Sequence, residues 1–390
     1  MIKSGITDLP LHYGNCPKWL FSSMKNLSKK ISELIIEEFG EEEFLNRLSD
    51  PYWFQAFGCV LGFDWHSSGL TTTTTAALKE IFNSSVGTNF NIGVAGGKGK
   101  TSKKAPKEII ELGDRLNLNS NRIEDLIKAS RLSAKVDNSV LQDGFQLYHH
   151  VFFFTKNSWI VIQQGMHSNN TYARRYHWIS KENLDFLNEP HSAIVSDVKT
   201  ETLNLASKKS NETRKVSLDL VKENPVHLKK YSKFDFNTTN LRTKKQENQK
   251  ILDDFLKPEP KMKFLKMPKT HFPKFKIDFD FKTLLKAYET QPESYEELVL
   301  IKGFGKKNLR SLALISNLIY GTELDWEDPV KYSFAHGGKD GWPYPVDTNL
   351  INENINFLND SIKSLKIGNS TKLSALKRLK NFASYFNVNF

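Results

Sequence analysis

Leu298–Tyr320, LVLIKGFGKKNLRSLALISNLIY, sets a short apolar helix, a glycine-bounded turn and a second apolar helix in succession. The turn is Lys302-Gly303-Phe304-Gly305. Glycine reaches positive φ without penalty and carries no Cβ, so a foreign backbone such as a phosphodiester can approach its amides. Those amides open the helix predicted from Lys306 to Tyr320, where unpaired N–H groups and the positive dipole end favour an anion. Lys302, Lys306, Lys307 and Arg310 add positive charge at the same place. Phe304 is expected to plug the gap between the helices. Leu309, Leu312, Leu314, Ile315, Leu318 and Ile319 are expected to form the buried face, with Gly321 as the stop. Contacts of this kind go to phosphate and are indifferent to base sequence. The simpler reading is a tight helical hairpin with no nucleic-acid role.

Composition and charge placement agree with a polyanionic partner. The 390 residues are 39% hydrophobic and 25% charged, ordinary for a globular protein of two or three domains. Net charge is +11; residues 201–276 hold 19 Lys and Arg against 9 Asp and Glu, while the rest of the chain holds 36 against 35. A localised basic segment suits DNA, whose binding then weakens steeply with salt; a lysine-rich solvated linker has the same composition. Cys16 and Cys59 are too few for a disulfide framework, a four-cysteine zinc site or an iron–sulfur cluster. Lys3 is followed by no long apolar run and no 18-residue apolar window occurs, so a cytoplasmic protein without a membrane partner is expected. Oligomeric state is left open.

The fold class predicted is α+β: a large, mostly helical N-terminal domain with a β-hairpin or small sheet, and a C-terminal all-α helix-hairpin-helix domain. Leu20, Met24, Leu27, Ile31, Leu34 and Ile35 recur at helical spacing before Gly40. Further helices are predicted over 52–61, 72–82, 106–116 and 123–133. Tyr148–Thr155 and Trp159–Gln164 are β-branched and aromatic around Lys156-Asn157-Ser158, the pattern of a β-hairpin. The boundaries predicted are 1–195 for this domain, 196–276 for a basic helical connector and 277–390 for the last domain, which ends in helices over 349–365 and 371–385.

Three polar segments of the first domain are candidate site material. In FDWHSSGLTTTTT, Asp64 and His66 precede a serine and threonine run that either binds phosphate at a helix start or caps it. In GVAGGKGKTSKK, Gly96, Gly97, Lys98, Lys100, Thr101 and Ser102 form a glycine loop without the spacing of a nucleotide-hydrolase loop; it is read as a cradle for backbone phosphate or as a surface loop. In LQDGFQLYHHVFFFT and TYARRYHWI, His149, His150 and His177 are possible ligands, but no spacing here is a zinc or two-metal pattern. Tyr148, Tyr172, Arg174, Arg175, Tyr176 and Trp178 can equally form an aromatic and basic platform for stacking on bases.

Gly303-Phe304-Gly305-Lys306-Lys307 and Val346-Asp347-Thr348 resemble two pieces of the helix-hairpin-helix DNA glycosylases of the endonuclease III type. That resemblance implies Lys307 as nucleophile and Asp347 as its acid–base partner. The two stand 40 residues apart, about twice the family's separation, and the cluster cysteines of that family are missing. DLPLHYG, LSDPYWFQAFGCVLGFDWHSSG, GGKGKTS, ASRLSAKVD, LQDGFQLYHHVFFFT, YARRYHW, NEPH and SFAHGGKDGWPYPVD, with the hairpin, resemble the archaeal and bacterial family named domain of unknown function 763. This second resemblance spans nearly the whole chain and implies a large domain of unfamiliar architecture with an appended helix-hairpin-helix and a role in DNA repair, abasic-site lyase activity above all.

Such a lyase needs a neutral lysine amine. It attacks the C1′ aldehyde of a ring-opened abasic sugar, water leaves, and the protonated imine acidifies the C2′ proton, so that a base triggers β-elimination of the 3′ phosphate. Neither metal nor cofactor is required. Bringing a lysine pKa from about 10.4 to 7 or 8 takes roughly 3–5 kcal/mol of destabilisation of the ammonium, part of which neighbouring cations supply. Lys307, beside Lys306 and Arg310, is the first candidate and Lys98, beside Lys100, its rival; Lys135, one helical turn from Arg131, is third. The alternatives are a metal-dependent nuclease using Asp64, His66, His149 or His150, and a DNA-binding or recruitment protein without catalysis.

Overall fold

The computed structural model of the chain describes residues 16–63, 68–84, 90–167, 172–196, 199–200, 202–233, 277–330 and 348–385. Four helices come first: α1 (Lys18–Phe39), α2 (Glu41–Ser49), α3 (Pro51–Leu61) and α4 (Gly69–Asn83). The periodic apolar residues of the sequence are the buried stripe of α1, with Met24, Leu27, Ile31 and Ile35 inside. Asp50 starts α3 by accepting the amides of Tyr52 and Trp53 at 2.7 and 3.0 Å, and Pro51 occupies the first position, where no amide partner is needed. All residues of α3 are buried, so it runs through the core rather than along a surface.

Next come β1 (Gly93–Lys98), a 3-10 turn over Gly99–Lys104, α5 (Ala105–Arg115) and α6 (Ser120–Lys135). A π-helical turn, Val136–Val140, extends α6 into β2 (Leu141–Gln142), followed by β3 (Phe145–Phe154), β4 (Trp159–His167), β5 (Ala173–Ile179), β6 (Ala193–Val195) and β7 (Leu203–Asn204). The predicted β-hairpin is the centre of a five-stranded antiparallel sheet of order β1-β3-β4-β5-β6, and β2 pairs with β7 apart from it. The segment expected to be a glycine loop is therefore a strand with a 3-10 turn after it. Likewise the expected arginine and tyrosine platform is strand β5.

Helices α7 (Asn211–Lys222) and α8 (Pro225–Lys229) follow; Pro225 lacks the amide to continue α7 and begins a new helix instead. The chain closes with α9 (Phe281–Thr290), α10 (Tyr295–Leu300), α11 (Lys306–Tyr320), α12 (Thr348–Ser364) and α13 (Asn369–Tyr385).

Both faces of the sheet are covered, and alternation along the strands divides the phenylalanines between them. Val151, Phe153, Ile160 and Ile162 pack with α1–α4, α12 and α13. Phe152, Phe154, Trp159, Val161 and Trp178 pack with α5, α6, α7 and α9–α11. Each such side chain, fully buried, contributes roughly 1.5–3 kcal/mol. Buried residues on either side of the expected boundaries at 195 and 276 thus share the same two apolar layers. Among the described residues no helix is long and apolar enough to cross a membrane.

Candidate functional site

Helix α4 lies beside the edge strand β1 and satisfies its unpaired main chain with side chains. Asn83 Nδ2 donates to the Val94 carbonyl at 2.7 Å and its Oδ1 accepts from the Val94 amide at 3.2 Å. One turn earlier, Lys79 Nζ donates to the Gly96 carbonyl and to Glu108 Oε2, both at 2.6 Å, and the same carboxylate oxygen accepts the Gly96 amide at 2.7 Å. An exposed strand edge is thereby closed without a further strand. Gly96 has φ +94°, and a Cβ there would stand 2.2 Å from the His150 carbonyl oxygen. Gly96, expected to cradle phosphate, serves first to let β1 approach β3, while a Cβ at Gly97 would meet Thr101 of the 3-10 turn.

Between α4, β1, β3 and the start of α1 opens a cleft of about 1530 Å³. Leu20, Phe21, Phe63, Val151 and Met166 give it an apolar wall; Thr72, Thr75, Lys79, Gly96, Gly97, Lys98, Thr101, Tyr148 and His149 give it a polar one. Lys98 and His149 are register partners on β1 and β3, Gln164 is the partner of His149 on β4, and Arg175 that of Gln164 on β5. One polar row therefore crosses four strands on the face that α4 covers. Lys98 is exposed and, among the described residues, pairs with no carboxylate.

His149 is buried, and its Nε2 stands 3.0 Å from Thr75 Oγ1. The single hydroxyl proton of Thr75 goes to the Thr71 carbonyl at 2.8 Å, so Oγ1 accepts and Nε2 carries the ring proton. Nδ1 is then a bare lone pair, without a partner among the described residues. Burial, with smaller contributions from His150 and Lys98, pushes the His149 pKa down to about 3, so the ring is neutral at physiological pH. Gln164 donates to the Ser68 carbonyl at 3.1 Å and to the Tyr148 hydroxyl at 2.7 Å, which fixes its amide orientation and leaves a buried Oε1 without a partner among the described residues. Burial raises the Tyr148 hydroxyl to about 12.

His150, one residue on, points to the opposite face. Its Nε2 meets Ser130 Oγ at 2.9 Å and its Nδ1 meets Gln163 Oε1 at 2.9 Å; Gln163 Nε2 donates to Asp137 Oδ2 at 2.6 Å. Asp137, turned inward by the π-helical turn, also accepts from Trp178 Nε1 at 2.9 Å and pairs with His191. This network lies inside the protein, and burial holds the His150 pKa below its usual value. The two adjacent histidines thus belong to different faces and do not share a site. Among the described residues no group of three His, Cys, Asp or Glu side chains could hold a metal ion. Asp64, His66 and Asp347 lie outside the described residues.

Two expected phosphate contacts are corrected. Arg174 and Arg175 are both fully buried. Arg174 bonds Asp143 Oδ2 at 3.0 Å and forks onto Asp328 at 3.1 and 2.8 Å, while Tyr176 donates to the same Asp143 oxygen at 2.6 Å. Burial alone would lower the Arg174 pKa; Asp328 and Asp143 outweigh it and raise it. Arg175 bonds Gln55 at 2.9 Å and Thr71 at 3.3 Å, and burial brings it down to about 9. Tyr176 and Trp178 are buried as well and offer no stacking surface.

The α10–α11 hairpin stands on the other side of the sheet. Phe304 is buried as expected, and Gly303 has φ +89°. Gly305 has φ −132°, extended backbone open to any residue, so only one of the two glycines is required by conformation. Gly305 gives α11 no side-chain cap, and Lys302, Lys306 and Lys307 are exposed around that helix start. Lys307 Nζ is held by Asp278 Oδ2 at 2.9 Å, both side chains half exposed. Arg310 turns away to Gln142 at 2.7 Å. Lys135, partly buried and with its pKa lowered by burial, donates to the Phe304 carbonyl at 2.9 Å and the Ile301 carbonyl at 3.5 Å, tying the turn to α6. Leu318 and Ile319, expected inside, are 47% and 44% exposed, because the buried stripe of α11 ends at Ser316. Lys98 and Lys307 are therefore not brought together.

These features define a mostly helical α+β protein with a polar cleft at a sheet edge and a basic helical turn on the opposite face. The chain belongs to the family described as Protein of unknown function (DUF763), whose profile matches residues 5–346. No curated protein and no solved structure matches it.

Proposed function

We propose that this chain is a DNA-binding repair protein that incises abasic sites as a lyase, with Lys98 as the amine that forms the Schiff base. The observation that carries the choice is the position of Lys98 at the cleft, without a carboxylate partner among the described residues and opposite a neutral histidine. Lys79 is engaged by Glu108 and Lys307 by Asp278. An amine held at salt-bridge distance by a carboxylate is already occupied, whereas Lys98 is open to an incoming aldehyde. In the reaction Lys98 Nζ bonds to C1′ of the open sugar as water departs; solvent water then takes the C2′ proton, and the electron pair left behind forms the C2′–C3′ double bond as the C3′–O bond breaks and the 3′ phosphate leaves. His149 is a hydrogen-bonding partner there rather than the base, since a group of so low a pKa takes up protons poorly at neutral pH.

Backbone phosphate is assigned to the uncapped start of α11 with Lys302, Gly303, Lys306 and Lys307. The test is borohydride trapping on an oligonucleotide with one abasic site. Wild type and Lys307→Ala should give the covalent adduct and Lys98→Ala should not. Adduct lost in Lys307→Ala and kept in Lys98→Ala would move the chemistry to the hairpin; binding without any adduct or incision would leave a non-catalytic DNA-binding protein.

A further inference from the structure

The cleft and the α10–α11 hairpin lie on opposite sides of the sheet, so a DNA strand at the cleft needs phosphate contacts on its own side. Residues 361–390 hold five lysines, one arginine and no aspartate or glutamate. Lys372, Lys377, Arg378 and Lys380 belong to helix α13, and among the described residues none of them pairs with a carboxylate. Ala375, Leu379, Phe382 and Ala383 are buried in the layer formed with α1–α4, which backs the cleft, and Lys377 and Lys380 are left exposed. Arg378 turns to the cleft rim. Its Nε donates to the Val60 carbonyl at 2.8 Å and its Nη1 to Ser374 Oγ at 3.2 Å. A Cβ at Gly62 would stand 3.5 Å from Arg378 Nη1 and 3.3 Å from Leu20 Cδ1, and Gly62 and Leu20 both line the cleft. Burial lowers the Arg378 pKa, with no carboxylate to offset it. Lys18 and Lys98, both exposed, line the same opening. Uncompensated cations therefore stand both on the helix and at the mouth of the cleft, an arrangement that suits a chain of phosphates.

We infer that α13 binds the sugar-phosphate backbone beside the sugar that enters the cleft, with Lys377 and Lys380 on flanking phosphates and Arg378 at the rim. This rests on the reading that the cleft takes DNA. The contact is with phosphate and carries no base preference. An anionic membrane is the poorer partner. A helix that lies on lipid buries an apolar face there, whereas the apolar face of α13 is inside the protein and, among the described residues, Leu373 is its one exposed large apolar side chain.

The experiment is fluorescence anisotropy of a labelled single-stranded oligonucleotide with one abasic site, titrated with the full chain between about 50 and 200 mM salt. Combining Lys377→Ala with Lys380→Ala should lower the slope of log affinity against log salt by about 1.4, two contacts at about 0.7 each. Combining Lys156→Ala with Lys181→Ala removes the same charge from exposed positions after β3 and β5 and should leave the slope at the wild-type value. Borohydride trapping at saturating DNA should keep its wild-type yield in both, because neither pair touches the reacting amine. A wild-type slope in the α13 variant, an equal fall in the two variants, or no binding of the oligonucleotide by the wild type would overturn the inference. So would an α13 variant that keeps its DNA affinity and loses binding to vesicles of phosphatidylserine and phosphatidylcholine, which would assign the helix to a membrane surface. A reduced slope in the α13 variant alone, without trapping in any protein, removes the lyase reading and keeps this one; trapping with an unchanged slope does the reverse.

Discussion

Gly96→Ala should cost a large share of the stability of the protein, although the change adds a single methyl group. Its φ of +94° is a conformation that side chains rarely adopt, which costs about 1–3 kcal/mol. The new Cβ would also stand 2.2 Å from the His150 carbonyl oxygen, a main-chain atom that cannot rotate away. Relief requires β1 to move off β3 by about 1 Å, a shift of the overpacking kind that costs a further 1–3 kcal/mol. That movement also stretches the 2.6 and 2.7 Å bonds from Lys79 and Glu108 to the Gly96 main chain, each charged and worth ~1.5–3 kcal/mol. The first two terms come to about 2–6 kcal/mol and weakening of the two bonds adds to them, a large share of the roughly 5–15 kcal/mol typical of a domain. Urea unfolding followed by circular dichroism measures it, with Gly99→Ala as the control. Gly99 has φ +60° and no atom within 4 Å of a Cβ, so its cost is ~1–2 kcal/mol. Equal midpoints for the two variants, or Gly96→Ala losing DNA binding at wild-type stability, would refute the reasoning that this glycine builds a strand.

Asp328→Ala removes one of the two carboxylates that hold buried Arg174 and should lower stability by about 3–5 kcal/mol in the same assay. His149 has a folded pKa of about 3 against an ordinary 6.5, so the unfolded chain takes up a proton first as pH falls. Its contribution is complete above pH 6.5 and is lost between 6.5 and about 3, at up to ~1.4 kcal/mol per pH unit; an unfolding series over that window should steepen accordingly, and less so in His149→Gln. Lys307→Ala breaks only a half-exposed pair with Asp278, so stability should change by less than ~1 kcal/mol, while the slope of log affinity for DNA against log salt should fall by about one.

The strands β3 and β4 were legible because FQLYHHVFFF and WIVIQQ are aromatic and β-branched over the length of a strand. β1 was not, since GVAGGK has the composition of a loop; it is a strand because Gly93 makes room for the Phe154 ring and Gly96 for the His150 carbonyl. β5 read as surface because ARRYHWI alternates charge with aromatics. It lies inside because Arg174 finds Asp143 and Asp328, 31 and 154 residues away, and no local pattern announces partners at such separations. Lys98 and His149 were named from sequence, but Thr75, Gln164 and the Lys79–Glu108 clamp came from the register and from helix placement. The separation of His149 from His150 was available in advance, since adjacent residues of a strand face opposite ways.

The account stands on the identity of one amine. Reducing the complex with an abasic oligonucleotide, digesting it and sequencing the DNA-bearing peptide by mass spectrometry reads that identity directly. Lys98 as the modified residue is the predicted result; modification of Lys307 or Lys135, or no modified peptide from a complex that forms and incises DNA, would contradict it.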